Sequence, residues 1–204
     1  MFFLASVYIP PASSVVEWGK SDSWLDVFVE LQADIAAYQA QGQVCLFGDF
    51  NCHTGVADDT GSDAQQLLDS MGAIADDTPT QSVPVRQSQD AHTVCAMGRQ
   101  LLNLCASTGC VILNGRCPGD LTGELTHAVS SSSGGGSLID YAVASKTFFP
   151  RVTNFKVIEM AGMSDHHALL CVFELPESSA SCQSAGVADL PYLRCIRWDA
   201  SKRE

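Results

Sequence analysis

The chain has 204 residues, of which 46% are hydrophobic and 17% are charged, and this composition excludes a wholly disordered protein. The length allows one substantial domain with a hydrophobic core and leaves no room for two comfortable ones. A formal net charge of -12, with only 11 Lys and Arg residues, excludes tight DNA binding through the overall charge of the chain.

The first quarter of the chain predicts a strand, a helix and a second strand. Residues 2–9 are predicted as a strand, and residues 22–40 as a helix that packs one apolar stripe against a sheet. The stripe recurs at alternating spacings of four and three and consists of Trp24, Phe28, Leu31, Ile35 and Tyr38. Residues 44–47 are all apolar, as in a strand covered on both faces, so Asp49 and Asn51 are expected at its C-terminal end.

The rest of the chain alternates polar segments with apolar elements. Residues 56–93 are polar, and a short helix around residues 63–71 is their only periodic piece. The later predicted elements are a helix over residues 97–107 and strands over residues 110–113, 125–129, 137–144, 152–158 and 168–175. We therefore predict one domain over residues 1–176, followed by a linker or disordered tail over residues 177–204, where periodicity is lost.

The cysteines and the apolar start argue for a soluble chain in a reducing compartment. No Cys-x-x-Cys pair occurs, and Cys45, Cys105, Cys110 and Cys171 stand in apolar runs, as small core residues do. The apolar start at residues 1–7 is too short to span a bilayer, so no membrane partner is expected. Cys52-His53 is not expected to bind a metal as a pair, because neighbouring residues of a strand point to opposite faces.

Three acidic motifs interrupt apolar runs and predict a catalytic site. They are Gly48-Asp49-Phe50-Asn51, Ile139-Asp140-Tyr141 and Ser164-Asp165-His166. A buried carboxylate costs several kcal/mol unless it is paired, hydrogen-bonded or metal-bound. Each Asp taken alone is as well explained as a helix cap or a turn residue. The set of three, with a His directly after one Asp, favours a hydrolytic phosphodiester site.

The chemistry of phosphodiester hydrolysis assigns a role to each of these residues. Asp49 is the candidate general base, and Asn51 is expected on the same side of an extended chain. His166 would contact the phosphate in the transition state, with Asp140 orienting its imidazole. Asp165 is a weaker candidate as a metal ligand, because strand alternation would turn it to the opposite face from His166.

The motifs together resemble the endonuclease/exonuclease/phosphatase superfamily in order and approximate spacing over residues 2–175. The resemblance rests on the three acidic motifs and on Val7-Tyr8-Ile9-Pro10-Pro11. The segment from residue 98 through residue 116 looks most like the endonuclease domain of non-long-terminal-repeat (non-LTR) retrotransposon polyproteins.

The resemblance implies a four-layer α/β sandwich, with two packed mixed β-sheets flanked by helices. It also implies Mg²⁺-dependent cleavage of DNA, with Mn²⁺ as an alternative cofactor, and a phosphate contact from Tyr8. Without the resemblance, Tyr8 is better interpreted as a strand aromatic in the core. A reverse transcriptase region of a parent polyprotein is the implied partner, and the implied task is nuclear.

One departure from the family pattern bears on activity. Family members carry an Asn and a metal-binding Glu on strands upstream of the Tyr8 position, and this chain begins after both. We therefore expect a domain that lacks its first strands, binds metal weakly and turns over slowly or not at all. Two other departures are tolerable: many members have an Asn soon after the tyrosine where this chain has Pro11, and an aromatic residue commonly follows the Thr before the hairpin where this chain has Thr126-His127.

Two other functions stay open at this point. A phosphatase of phosphoinositides or other small phosphate esters would keep the fold and tolerate the acidic charge more easily. A catalytically dead remnant that serves as a binding module is the other alternative. Retention of Asp49, Asn51, Asp140 and His166 argues against the dead remnant.

Overall fold

A computed structural model of the chain describes residues 1–14, 23–61, 83–128 and 135–174. One compact unit extends over Met1–Phe173, and a second begins at Glu174. The helix predicted around residues 63–71 and the tail predicted over residues 177–204 lie outside the described residues. The boundary at residue 176 stays a prediction.

The main sheet has four strands, in the order β1 (Phe2–Tyr8), β2 (Gln43–Asp49), β6 (Asp140–Ser145) and β3 (Cys110–Ile112). Strand β1 pairs in parallel with β2. Strand β6 runs antiparallel to both β2 and β3. The middle of β2 and the whole of β6 are buried, as expected for strands covered on both faces.

Two helices cover one face of the main sheet. Helix α1 (Ser23–Gln39) packs against β2, and α2 (Ala96–Thr108) packs against α1 and β3. The side chain of Cys95 caps the start of α2, and Gly109 ends it in the left-handed region with a φ of 63°. Among the described residues, no helix has the length and apolar character needed to cross a bilayer.

A second, two-stranded sheet covers the other face. It consists of β7 (Val152–Ile158) and β8 (Ala168–Phe173), which pair antiparallel. Because strand residues alternate between faces, Leu46 and Val143 join the core under the helices, while Cys45 and Ala142 join the core that contains Phe155 of β7. The predicted α/β sandwich class is confirmed, and the described residues provide a helical layer, a mixed sheet and a second sheet.

The strand predicted over residues 137–144 is divided in the structure. Strand β5 (Gly136–Ser137) pairs with β4 (His127–Ala128), and β6 begins only at Asp140. Between them, the backbone N–H groups of Leu138 and Ile139 donate to side chains instead of to a strand partner. Hydrogen bonds to the side chains of Asp90 and Thr126 therefore hold the two residues that connect the sheet of β4 and β5 to the main sheet.

The described cysteines are free thiols, in line with the sequence prediction. Cys45, Cys105 and Cys110 are buried, and Cys171 is partly buried. Burial raises the pKa of the Cys117 thiol to about 12, with the neighbouring Cys171 adding to the shift. These thiols stay protonated at neutral pH and therefore react slowly.

The hydroxyl of Tyr141 joins two segments, one that follows β2 and one that precedes β6. It lies 2.7 Å from the Leu138 carbonyl oxygen and 3.0 Å from that of Cys52, and it accepts a hydrogen bond of 3.1 Å from the Thr54 hydroxyl. The side chain is 1% exposed, so its partners cannot be satisfied by water when the hydroxyl is removed.

Tyr141→Phe is expected to lower the free energy of unfolding by about 1–3 kcal/mol, because it leaves buried polar groups without a partner. Urea denaturation measures the change. Tyr38→Phe is the matched control, because Tyr38 is 37% exposed, and it should change the value by less than about 0.5 kcal/mol. Equal effects of the two substitutions on the free energy of unfolding would contradict a stabilising role for the buried hydroxyl of Tyr141.

Candidate active site

Three predicted site residues form a row at one end of the main sheet. Asp49, at the end of β2, lies opposite Asp140 at the start of β6 and opposite Tyr8 at the end of β1. Side chains of directly opposed residues lie on the same face of a sheet. Tyr8 is 69% exposed, so it is not a core aromatic residue.

The row lies on the face that the second sheet covers. Asp49 lies four residues after Cys45 on β2, and Asp140 lies two residues before Ala142 on β6. Residues an even number of positions apart on a strand share a face, and Cys45 and Ala142 pack in the core on the covered face. His166 directly precedes the segment that enters β8, and it forms an isolated bridge with His127 of β4. The site is therefore assembled from strand ends of the main sheet and from the segment that leads into β8.

Asn51 holds the carboxylate of Asp49. Its backbone N–H donates to Asp49 Oδ1 at 2.8 Å, and its side-chain amide donates to Asp49 Oδ2 at 2.7 Å and to the Ile9 carbonyl at 2.9 Å. Asn51 has a φ of 47°, a conformation that Asn tolerates better than most residues. The extended chain expected between the two residues is thus wrong. A turn brings the amide back to Asp49.

The carboxyl group of Asp49 has a raised pKa. Burial is the largest cause, and the charge of Asp140 raises the pKa further. Hydrogen bonds from Asn51 and the charge of His166 act in the opposite direction without cancelling the rise. A carboxylate with a raised pKa is a stronger base, which suits proton abstraction from water near neutral pH.

Asp140 holds the imidazole of His166. The Nδ1 atom of His166 lies 3.1 Å from Asp140 Oδ1 and 3.0 Å from Asp140 Oδ2. The ring therefore turns Nε2 away from Asp140, and the side chain of His166 is 34% exposed. The Thr126 hydroxyl accepts the Asp140 N–H at 3.0 Å and so fixes the start of β6.

His166 has a raised pKa despite its partial burial. Burial by itself lowers the pKa, but the hydrogen bond and charge of Asp140 outweigh it, and the charges of Asp49 and Asp165 add to the rise. The imidazole therefore holds a proton to higher pH than an ordinary His does. A cationic ring suits a position that faces negative charge.

The structure brings Asp49, Asp140 and His166 together as one potential metal-binding group. One ligand atom from each lies within 4.8 Å of the others. Asp165 is not part of this group. Its side chain is 71% exposed, and its Oδ2 atom lies 3.8 Å from Nε2 of His127. Its role as a metal ligand stays a prediction.

His127 is a neighbour of the site that was not expected from the sequence. Its ring lies 4.8 Å from the ring of His166, centroid to centroid, at an angle of 61°. Its position after Thr126 was noted only as a departure from the family pattern. The Ala128 N–H donates to the Asp165 carbonyl at 2.8 Å, so β4 supports the His166 segment through its backbone.

A second cluster, His53, Asp90 and His92, was also missed. Both imidazole Nδ1 atoms contact the Asp90 carboxylate, and the two rings stack with centroids 4.3 Å apart. Burial by itself raises the pKa of Asp90, but hydrogen bonds from both His residues and from the Leu138 N–H outweigh it and lower the pKa. The thiol of Cys52 is fully buried, whereas the side chain of His53 is 28% exposed and lies against Asp90.

Comparisons with known proteins identify the fold. No protein-family model and no curated protein matches the chain. Among solved structures, the chain is similar to the 3′ phosphatase NExo from Neisseria bound to a product DNA hairpin, at 15% identity with a TM-score of 0.51. It is also similar to the 3′-5′ exonuclease NExo from Neisseria meningitidis, at 15% identity with a TM-score of 0.54.

Each of these similarities covers 83% of this chain and 60% of the solved chain. The chain thus spans less than two thirds of the length of these structures. At 15% identity the likeness shows the fold, which is of the exonuclease–endonuclease–phosphatase type.

Asp140→Asn is expected to lower the pKa of His166. The substitution removes the negative charge that raises the pKa and leaves the burial that lowers it. NMR titration of the imidazole C–H resonances, in buffer with a metal chelator, measures the shift. Glu30→Gln, on the exposed face of α1, is the control and should leave the titration unchanged. An unchanged pKa in Asp140→Asn would contradict the pairing.

Proposed function

We propose that this chain is a metal-dependent phosphodiester hydrolase of the endonuclease type that acts on DNA. The observation that carries the proposal is the group formed by Asp49, Asp140 and His166, with exposed Tyr8 beside it. These four residues belong to the sequence motifs that predict a phosphodiester site. Their convergence at one end of a sheet is hard to explain by packing alone, because two carboxylates directly opposite each other repel.

Asp49 acts as the general base in this proposal. Its raised pKa increases its affinity for the proton of an attacking water. Asn51 is a positioning residue, since both hydrogens of its side-chain amide are used on Asp49 and Ile9. The hydrogen bonds hold the carboxylate in one orientation, which reduces the entropy cost of reaching the reactive geometry.

His166 stabilises the charge that develops on the phosphate. Asp140 binds Nδ1, so Nε2 is the atom that faces the substrate, and the raised pKa favours the cationic form of the ring. Tyr8 lies next to Asp49 in the same row, where its exposed phenol can donate to a non-bridging oxygen. General acid–base groups of this kind contribute about 10² to 10⁴ in rate.

The donor set at this site fits Mg²⁺. Asp140 would supply a carboxylate oxygen, the kind of ligand that Mg²⁺ prefers and that Mn²⁺ also accepts, while the carboxylate of Asp49 stays free to act as the base. Asp165 is an additional acidic group on the neighbouring segment. A bound Mg²⁺ would neutralise charge on the phosphate oxygens.

DNA is the proposed substrate, and a retrotransposon is the proposed origin of the domain. The order of the motifs supports both, because it resembles the endonuclease domain of non-LTR elements. The structure of NExo bound to a DNA hairpin, which has the same fold, supports a nucleic-acid substrate. The net charge of -12 opposes association with DNA, so binding depends on local charge from metal and from His166.

A phosphatase acting on phosphate monoesters is the second candidate. The strongly acidic composition favours it, because a small ester meets less long-range repulsion than a DNA chain does. The description of NExo as a 3′ phosphatase supports the same alternative. Both candidates use the same residues, so the substrate must be tested separately from the site.

Purified protein is expected to nick supercoiled plasmid in Mg²⁺ slowly, in keeping with the weak metal binding expected from the sequence, and Asp49→Ala and His166→Ala are each expected to lower that rate by about 10² to 10⁴. Gel electrophoresis separates the nicked and supercoiled forms. Glu30→Ala removes an exposed carboxylate outside the site and should retain full activity.

The outcomes separate the candidate functions. Nicking that all variants retain equally would contradict the assigned residues. Absence of nicking, combined with release of inorganic phosphate from a 3′-phosphorylated oligonucleotide, would favour the phosphatase. Absence of both activities in a folded protein would favour the binding module.

A further inference from the structure

We propose that His53, Asp90 and His92 form a second metal site, which binds a borderline cation such as Zn²⁺. It shares no residue with the group formed by Asp49, Asp140 and His166, here called the Asp49 site, and it prefers a different metal ion. The cluster supplies two imidazole nitrogens and one carboxylate, and one ligand atom from each residue lies within 4.8 Å of the others. Two His and one carboxylate are the protein ligands of many zinc sites, which leave one position open.

Both imidazole nitrogens already lie against the oxygens of the Asp90 carboxylate. His53 Nδ1 lies 2.8 Å from Asp90 Oδ2, and His92 Nδ1 lies 2.6 Å from Asp90 Oδ1. Ligands at zinc distances of about 2.0–2.2 Å stand roughly 3.3–3.5 Å apart in a tetrahedron. Small movements of the two rings away from the carboxylate therefore admit the ion.

Hydrogen bonds hold the buried carboxylate of Asp90 in one orientation. Its side chain is 1% exposed, and the backbone N–H groups of His92 and Leu138 donate to its two oxygens at 2.9 and 3.1 Å. These bonds orient the carboxylate and leave one direction on each oxygen for the imidazoles. Such supporting hydrogen bonds are typical of the surroundings of metal ligands.

The two imidazoles provide both access and selectivity. The side chain of His92 is 55% exposed and that of His53 is 28% exposed, so an ion can enter from solvent. A neutral imidazole ligates through Nδ1 once its proton moves to Nε2, which requires no change of charge. Nitrogen ligands favour Zn²⁺ over Mg²⁺, whereas the carboxylates of the Asp49 site favour Mg²⁺.

The position of the cluster gives the ion a structural consequence. His53 follows Asn51 by two residues, and Leu138, which contacts Asp90, precedes Asp140 by two residues. Asp90 therefore links the segment after β2 to the segment before β6. A metal ion at this link would hold together the two chain segments that carry Asp49 and Asp140.

The test is titration of the full chain with ZnCl₂ by isothermal calorimetry. The titrated protein is a background variant that carries both Asp49→Ala and His166→Ala, so that the Asp49 site cannot bind the ion. This background variant should bind one Zn²⁺ ion. Adding His92→Ala should weaken the affinity by at least about 100-fold, because it removes a direct ligand. His127→Ala is the matched control, since its side chain is 26% exposed, and it should leave the affinity unchanged.

Circular dichroism of each variant establishes that it is folded, and His53→Ala provides a second variant should one fail to fold. Visible absorption of Co²⁺ gives an independent readout, which should be present in the background variant and absent after His92→Ala. Failure of the background variant to bind Zn²⁺, or an affinity that His92→Ala and His53→Ala leave unchanged, would overturn the proposal. Neither result depends on catalytic activity.

Discussion

The direct pairing of Asp49 with Asp140 across β2 and β6 is the constraint on which the site depends. Like charges opposite each other destabilise a sheet, so this pair needs compensation. Asn51 donates two hydrogen bonds to one carboxylate, and His166 lies against the other. Burial, with the charge of Asp140, raises the pKa of Asp49. Burial lowers the pKa of His166, but the hydrogen bond and charge of Asp140 and the charge of Asp49 outweigh it and raise that pKa. A carboxylate of increased basicity thus lies beside a ring that favours its protonated form.

The scaffold fixes this pairing by hydrogen bonds from side chains. Thr126 accepts the N–H groups of Ile139 and Asp140, and Tyr141 ties the Leu138 carbonyl to the segment after β2. Asp90 binds the Leu138 N–H in the same stretch. The short segment before β6 is therefore held from several directions. Its position determines where the carboxylate of Asp140 meets β2, so the stability of this segment and the geometry of the site are connected.

Much of the fold could be predicted from the sequence, because apolar periodicity marks strands such as Val152–Ile158 and helices such as Ala96–Thr108. The convergence of Asp49, Asp140 and His166 was predictable because each interrupts or adjoins an apolar run. The division of the strand before β6 was not predictable, since it depends on side-chain acceptors distant in sequence. The cluster of His53, Asp90 and His92 was missed for a similar reason, because Asp90 and His92 lie in a polar segment without periodicity.

Hydrolysis of the p-nitrophenyl ester of thymidine 5′-monophosphate in Mg²⁺ is a direct test of the proposed phosphodiester hydrolysis, because this small diester avoids the repulsion between DNA and an acidic chain. We expect the wild-type protein to release nitrophenolate faster than buffer with metal does. We also expect a rate lower by about 10² or more in Asp140→Asn. A wild-type rate equal to that of the buffer, or an unchanged rate in Asp140→Asn, would contradict a catalytic role for the pair formed by Asp140 and His166.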